Sequence, residues 1–310
     1  MSLFAIATIS TNATTWDEPW ADKVIKNADC FVLAKVDSFN INKGVYIEII
    51  KNLGGTNLSG KIAITNFYYV ELTSMSGGEG PEFHFEGVKN CYFFIKKNDK
   101  GQYCIATPTT GFDYVQDTSI VATYRHSYHK ALVPVTVYEK TMTAIFNNYH
   151  GQPYDTKYIN EYVNKYLSMA SANPAKDMNL FFLQHVALEC VHHLKLQGYY
   201  SKIVPFLKDT GNFHAQVSAA RALVAYNTPE CKEQLLKIIA DTSQIHFVQV
   251  ICIWTLEEFK PKELKPQLVK IEATASSEET GFGGNIMDPR VGTEFPDVKT
   301  ALDELIKQLD

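Results

Sequence analysis

Three side chains suited to metal binding or proton transfer recur at every fourth position of one apolar stretch. His185, Glu189 and His193 are spaced i, i+4 and i+8, which places them on one face of a helix. Glu189 and His192 also match the Glu-x-x-His pattern, which makes up half of a di-metal carboxylate site. The sequence carries no second copy of that pattern after it. A metal site at His185, Glu189 and His193 is therefore the alternative hypothesis, and a contact with the neighbouring domain or a partner is favoured.

A row of tyrosines is the second candidate. Tyr154, Tyr158, Tyr162 and Tyr166 follow each other at strict i+4 spacing and flank an apolar stripe of the same helix. One interpretation is an aromatic ledge that binds a peptide or a glycan. The favoured interpretation is packing at the seam between two domains, since exposed rings would form a large apolar patch. It predicts that at least two of the four rings are more than half buried.

Two loops also contain candidate binding residues. The segment from Gly55 to Lys61 matches the glycine and lysine spacing of a phosphate-binding loop. Ile62 stands where that loop needs Ser or Thr, and a strand follows where it needs a helix, so a hairpin loop is favoured. The long segment 275–296 carries Phe282 and Arg290, which are candidate ligand contacts, with a disordered insertion as the alternative. No motif indicates a cofactor.

The elements that position these residues change type near residue 135. Before it, apolar and polar residues alternate, which predicts antiparallel strands forming a small β-barrel over 14–135. After it, apolar residues recur at helical spacing over 136–310. The capping-box pattern Thr136–Glu139 predicts the first helix start, and Asn173-Pro174 and Thr228-Pro229 predict two later ones. The boundary is therefore expected within 131–136.

The helical half contains a repeat. The pairs Gln216-Val217 and Gln249-Val250 lie 33 residues apart, and Leu223 and Leu256 keep the same offset. An earlier copy is suggested by Val186–Val191. The stretch 174–310 resembles HEAT-type helical repeats, in which paired helices stack into a curved solenoid. The resemblance implies a binding scaffold rather than a catalyst.

The β half has a resemblance of its own. The strand runs that begin at Ala28, Tyr46, Gly60 and Gly87 resemble the OB-like barrel of netrin-module and metalloproteinase-inhibitor-like domains of exported bacterial proteins. The likeness covers 28–131. In the inhibitor family the mature N-terminal cysteine chelates the zinc of the protease. Cys30 would not be N-terminal here, so no inhibitory residue carries over. Cys91 and Cys104 flank a predicted hairpin, which makes a disulfide between them conceivable.

Composition and the N-terminus limit the compartment and the partners. The chain has 310 residues and a net charge of −5, which argues against binding to nucleic acid or anionic membranes. No apolar run reaches the roughly 20 residues needed to span a bilayer. The apolar run Leu3–Ile9, followed by Ala13, resembles the end of a signal peptide over 1–13, although no Lys or Arg precedes it.

The sequence therefore predicts two domains, a small antiparallel OB-like β-barrel followed by an all-α HEAT-like solenoid. The predicted function is that of an exported, non-catalytic binding or scaffold protein for a peptide, a protein or a glycan. No cofactor, nucleic-acid partner or membrane span is expected. The alternative is a hydrolase or metal-dependent enzyme with a dispersed site near His185, Glu189 and His193.

Overall fold

The structure, a computed structural model, describes residues 21–40, 44–65, 90–106, 111–122, 131–278 and 295–309. The predicted signal segment 1–13 and the candidate contacts Phe282 and Arg290 lie outside these ranges. Strand β8 ends at Pro134 and helix α2 begins at Val135, so the change from strand to helix falls inside the predicted interval. One short helix precedes the strands, α1 (Ala21–Asn27), which the all-β prediction for 14–135 missed.

The first five strands close into a barrel. They are β1 (Cys30–Asn40), β2 (Gly44–Gly55), β3 (Lys61–Ile64), β4 (Asn90–Lys97) and β5 (Tyr103–Cys104). Their order is β1-β2-β3-β5-β4, and β4 pairs back onto β1. All of these pairings are antiparallel except the one between β3 and β5. Closure pairs the strand edges that an open sheet would expose, and the predicted OB-like barrel is confirmed.

Strands β1 and β4 are apolar on both faces. One face fills the barrel interior, with side chains such as Val32, Ile47 and Phe93 fully buried. The opposite face carries Phe31 and Phe94, which belong to a second cluster shared with the helices. The alternating pattern therefore separates two cores rather than a core from solvent.

Three further strands extend the sheet from β4. They are β6 (Phe112–Gln116), β7 (Ser119–Ala122) and β8 (Ala131–Pro134), and each pairs antiparallel with the one before it. Cys91 of β4 lies opposite Tyr114, whereas Cys104 of β5 lies opposite Lys96. Because the two cysteines occupy different registers along β4, they do not form the disulfide considered above, and all six cysteines are free.

Helix α2 (Val135–Tyr149) joins the barrel to the helical half, and it begins differently from the prediction. The residue before the helix is Pro134, and no side chain caps its first turn. Glu139 does not form the expected capping box. Its carboxylate instead accepts hydrogen bonds from the Tyr92 hydroxyl at 2.7 Å and Lys51 Nζ at 2.6 Å. The carboxylate therefore fastens α2 to β4 and β2.

The remaining α-helices of the described ranges pack as four consecutive pairs. The pairs are α3 (Thr156–Leu167) with α4 (Met178–Leu194), α5 (Tyr200–Leu207) with α6 (Phe213–Ala222), α7 (Pro229–Ala240) with α8 (His246–Phe259), and α9 (Lys265–Glu272) with α10 (Val298–Gln308). The second members stack in the order α4, α6, α8, α10, which confirms the predicted solenoid. Pro229 opens α7 as predicted. Asn173-Pro174 instead lies in a preceding turn, because Asp177 caps α4.

Buried glutamines mark the repeat. Gln216 donates to the Leu207 carbonyl at 2.9 Å, and Gln249 donates to the Ile239 carbonyl at 2.9 Å. Gln184 donates to the Tyr166 carbonyl in the last turn of α3 at 3.3 Å and to the Ala170 carbonyl just after that helix at 2.8 Å. In the first three pairs the second helix thus satisfies carbonyls at the end of the first, where intrahelical partners run out. The shared offset predicts that equivalent apolar positions of α6 and α8 face one core, and those residues are all fully buried: Val217, Ala220, Leu223, Val250, Ile253 and Leu256.

Candidate ligand pocket at the helix ends

The tyrosine row packs α3 against its neighbours. Tyr162 is 6% exposed, and its hydroxyl donates to the Leu183 carbonyl of α4 at 3.0 Å. Its ring lies 6.0 Å from that of Tyr158 and 4.7 Å from that of Tyr166. Tyr154, Tyr158 and Tyr166 are each partly buried against the main core. All four rings are more than half buried, which confirms the burial prediction.

The seam between barrel and helices is aromatic. Phe31 of β1 stacks on Phe94 of β4 at 4.6 Å between ring centroids, and Phe146 of α2 lies 6.1 Å from Phe31. The chain approaches this stack closely at Gly54, where an added Cβ would lie 2.5 Å from the Phe146 ring. Tyr138 of α2 adds a hydrogen bond to Asp113 of β6. The seam is thus a packed interface.

A shallow groove borders this seam. It encloses about 540 Å³ between β2, α2 and the start of α3, and Tyr154 is the residue of the tyrosine row that lines it. Lys140 lies at its edge, with its Nζ 4.2 Å from the centre of the Tyr158 ring. The ion pair of Lys51 with Glu139 crosses the groove at 2.6 Å. The charged groups here are therefore largely occupied by one another.

The predicted histidine–glutamate set forms a buried polar chain. His185 Nε2 and His193 Nε2 lie 3.7 Å and 3.5 Å from the two oxygens of Glu189. The other ring nitrogens point outward along the chain: His185 Nδ1 is 2.9 Å from Ser218 Oγ, and His193 Nδ1 is 2.8 Å from the Tyr149 hydroxyl. The chain thus links α6, α4 and α2, so the buried contact is with neighbouring helices rather than with the barrel.

Burial determines the chemistry of this chain. His185, Glu189 and His193 are each 1–2% exposed. Burial raises the pKa of the Glu189 carboxyl well above its usual value, and the charge of Arg221 opposes that shift only in part. In the described part of the chain, no group of three His, Cys, Asp or Glu residues is placed to hold a metal ion. The metal hypothesis therefore gains no support from this geometry.

A different set of residues faces an open cavity. Helices α4, α6 and α8 end side by side, and a pocket of about 590 Å³ opens where they end. Lys195 follows α4, Arg221 lies in the last turn of α6, and Lys260 follows α8. Helix α1 adds Asp22, Lys23 and Lys26. Aromatic and further polar groups complete the lining: Tyr149, His192, Trp254, Glu257, Glu258 and Gln308.

The pocket is mixed in charge, but its acids and bases are not equally engaged. Lys26 pairs with Asp22 at 2.9 Å, and Gln308 donates to Glu257 at 2.7 Å. By contrast, the side chains of Arg221 and Lys195 form no ion pair or hydrogen bond with any residue that the structure describes. Partial desolvation, with Arg221 as the second cause, lowers the pKa of Lys195 to about 8.

The backbone at two of these lysines is strained. Lys195 and Lys260 end their helices in the left-handed region, with φ of +52° and +48°. This conformation costs a residue with a Cβ about 1–2 kcal/mol, and glycine is the residue usually found there. Asp117 is the other non-glycine residue with positive φ in the described ranges. Strain of this kind concentrates at functional positions, which makes the lysine side chains of interest.

The sequence analysis missed these residues, although the repeat held a signal for them. Counting from the buried glutamines, Glu189, Arg221 and Trp254 occupy one repeat position, as do Lys195 and Lys260. Residues at one repeat position lie above each other in a solenoid. Aligning the repeats on the glutamines would therefore have placed these residues along one edge of the stack, where the second helices end.

Comparisons with protein-family models, curated proteins and solved structures found no match to this chain. Among the helices that the structure describes, none is both long enough and apolar enough to cross a membrane.

Proposed function

We propose that this protein is an exported, non-catalytic binding protein that holds a peptide, a segment of a protein or a glycan in the pocket at the ends of α4, α6 and α8. The observation that carries the proposal is the pocket itself. It has the volume of ligand sites, and its Arg221 and Lys195 make no ion pair within the described chain. Groups of this kind gain more from a ligand than groups already paired with each other.

The solenoid supports this function. Stacked helix pairs present the same position of successive repeats along one surface, which suits them to binding extended partners. We propose that the stack is of the HEAT type on the basis of the spacings of 32 and 33 residues between Gln184, Gln216 and Gln249 and of their similar bonding roles. The netrin-like origin of the barrel is likewise a proposal, supported by its strand order.

The buried polar chain favours binding over catalysis. A hydrolase or metal-dependent enzyme centred on His185, Glu189 and His193 would have to bring substrate to side chains that are 1–2% exposed. Tyr149, at one end of the buried polar chain, lines the pocket, whereas Ser218 at the other end is 3% exposed. We therefore assign the buried polar chain a structural role, in holding α2, α4 and α6 together.

Export is proposed on the apolar run Leu3–Ile9 alone. The test is expression of the full chain with a C-terminal tag in a bacterial host, followed by fractionation and mass measurement of the purified protein. Export with removal of an N-terminal segment is expected. A full-length product confined to the cytoplasm would contradict the proposal.

The binding function is tested by selection from a random peptide library and by a glycan array. The pocket variant is Lys195→Glu with Lys260→Glu. The matched control carries Lys237→Glu and Lys307→Glu, which change the same charge at exposed lysines on α7 and α10. Ligands that bind the wild type and the control but not the pocket variant are expected. Absence of any ligand, or equal binding by all three proteins, would contradict the proposal.

A further inference from the structure

The geometry points to a carboxylate of the ligand, held between Arg221 and Lys195, as the group that this pocket recognises. The inference rests on the proposed binding function and names the chemistry that the pocket selects. Arg221 is partly buried at the floor of the pocket, and Lys195 follows the neighbouring helix in the stack. Both face the same cavity of about 590 Å³.

The case for an anion comes from the balance of charges. Five cationic side chains and three carboxylates line the pocket, in a chain whose net charge is −5. Lys26 and Asp22 neutralise each other at 2.9 Å. Arg221 lies close enough to disfavour the charged form of Lys195. An anion placed between them would relieve that repulsion and would accept hydrogen bonds from both.

The case for a carboxylate rather than a phosphate comes from the surroundings. Glu257 and Glu258 lie on the wall formed by α8, and the negative ends of three helix dipoles point toward the pocket. A dianionic phosphate would meet repulsion from all of these groups. A carboxylate carries a single charge, and its planar shape matches the paired N–H donors of an arginine.

The remaining walls suit the end of a peptide. Trp254 and Tyr149 offer aromatic surfaces, while Glu258 and Gln308 supply acceptors for amide N–H groups. A peptide C-terminus places a carboxylate next to such N–H donors, and an acidic side chain places it farther from them. Both sources share the carboxylate, and the experiment distinguishes them.

The experiment is calorimetric titration of the full chain with short alanine peptides that carry an acetylated N-terminus. One peptide has a free C-terminal carboxylate, a second is amidated, and a third is amidated with a glutamate side chain. Inorganic phosphate is the fourth probe. We expect the free acid to bind at least about tenfold more tightly than the amidated peptide and more tightly than phosphate. Preference for the glutamate peptide would identify a side-chain carboxylate instead, with the inference intact.

Variants locate the carboxylate. Arg221→Gln should weaken the preferred peptide about 10- to 100-fold, and Arg221→Lys should recover part of that loss because it keeps the charge but not the paired donors. Lys195→Gln tests the second cation at an exposed position, where folding is not at risk. Lys237→Gln on α7 is the control.

The pH dependence adds a readout that a structural role would not give. Lys195 faces Asp22 and Lys26 of α1, Arg221 of α6 and Glu258 of α8. The pKa of Lys195 lies near 8, so the affinity for the carboxylate peptide should fall by about two- to fivefold between pH 7 and pH 9. Lys195→Gln should remove this decline.

The outcomes separate two failures. If library ligands bind in the pocket but amidation and Arg221→Gln leave their affinity unchanged, the carboxylate inference is wrong and the binding function stands. If phosphate binds more tightly than every peptide, the inference is also wrong. If no library ligand depends on the pocket lysines, the binding function itself fails.

Discussion

The aromatic seam and the charged pocket both border helix α2, through Phe146 and Tyr149, and they differ in how their side chains are satisfied. At the seam, Phe31, Phe94 and Phe146 stack on one another, and Glu139 bonds to two barrel residues. At the pocket, Arg221 and Lys195 have no such partner among the described residues. The polar groups of the seam are satisfied within the protein, whereas the ligand that we propose would satisfy those of the pocket.

This difference teaches how to weigh aromatic and charged rows in a sequence. A tyrosine row at helical spacing attracts attention because its rings suit ligands. In this protein the rings serve packing. The pocket cations are scattered over four helices, so no local sequence pattern marks them. The following predictions test whether the division between packing surface and ligand surface holds.

The largest effect is expected on the packing side. Replacing both Tyr158 and Tyr162 by alanine should lower the free energy of unfolding by about 3–5 kcal/mol, because large buried aromatics leave cavities. Urea unfolding followed by circular dichroism measures it. Tyr46→Ala, at a ring that is 37% exposed on the barrel, is the control and should cost little. If the double variant unfolded like wild type, the ring row would become a surface candidate again.

The repeat glutamines should give the next largest effect. Gln216→Leu removes the side chain that donates to the Leu207 carbonyl, so this carbonyl stays buried without a hydrogen bond from that side chain. The free energy of unfolding should fall by about 1–3 kcal/mol. Gln267→Leu, on the exposed face of α9, should stay within about 0.5 kcal/mol of wild type. Equal stability of both variants in urea would show that the glutamines do not hold the helix pairs together.

The buried polar chain predicts a pH-dependent effect. The folded-state pKa of Glu189 is raised, so its contribution is fully present below its unfolded pKa of about 4.3 and is lost as pH rises through the folded value. Glu189→Gln has no ionisable group at this position and does not lose stability in this way. The free energy of unfolding of the variant should therefore rise relative to that of wild type as pH rises above 4.5, by at most about 1.4 kcal/mol for each pH unit.

The measurement for Glu189→Gln is urea unfolding of both proteins from pH 4.5 to pH 8. Glu233→Gln, at an exposed carboxylate on α7, is the control and should show no such divergence. Parallel stability curves for wild type and Glu189→Gln would contradict a raised pKa at this site.

The smallest change in stability is expected at the pocket, and it is a gain rather than a loss. Lys195→Gly and Lys260→Gly should each raise stability by about 0.5–1 kcal/mol, because glycine adopts the left-handed conformation without penalty. Lys237→Gly, within α7, should instead cost up to about 1 kcal/mol. Calorimetric melting of the three variants checks both signs. A destabilising Lys195→Gly would mean that the side chain serves folding rather than ligand binding.

The sequence by itself determined where strands give way to helices and which helices of the repeat are equivalent. Alternation over Cys91–Ile95 predicted a half-buried antiparallel strand; the structure has the antiparallel strand but buries both of its faces. The offset between Gln216 and Gln249 predicted equivalent helices, and both side chains make equivalent bonds. These features were readable because periodicity is set by neighbours along the chain, which fix which face of an element is apolar.

Tertiary structure decided how those elements use their polar residues. Glu139 fits a capping box, yet it bonds to Tyr92 because the barrel brings a hydroxyl within 2.7 Å. Asn173-Pro174 fits a helix start, yet Asp177 caps α4 instead. The cations of the pocket come from helix ends far apart in the chain, and only the stacking of α4, α6 and α8 brings them to one cavity. Local patterns record propensity, whereas a site built across helices depends on which ends the packing brings together.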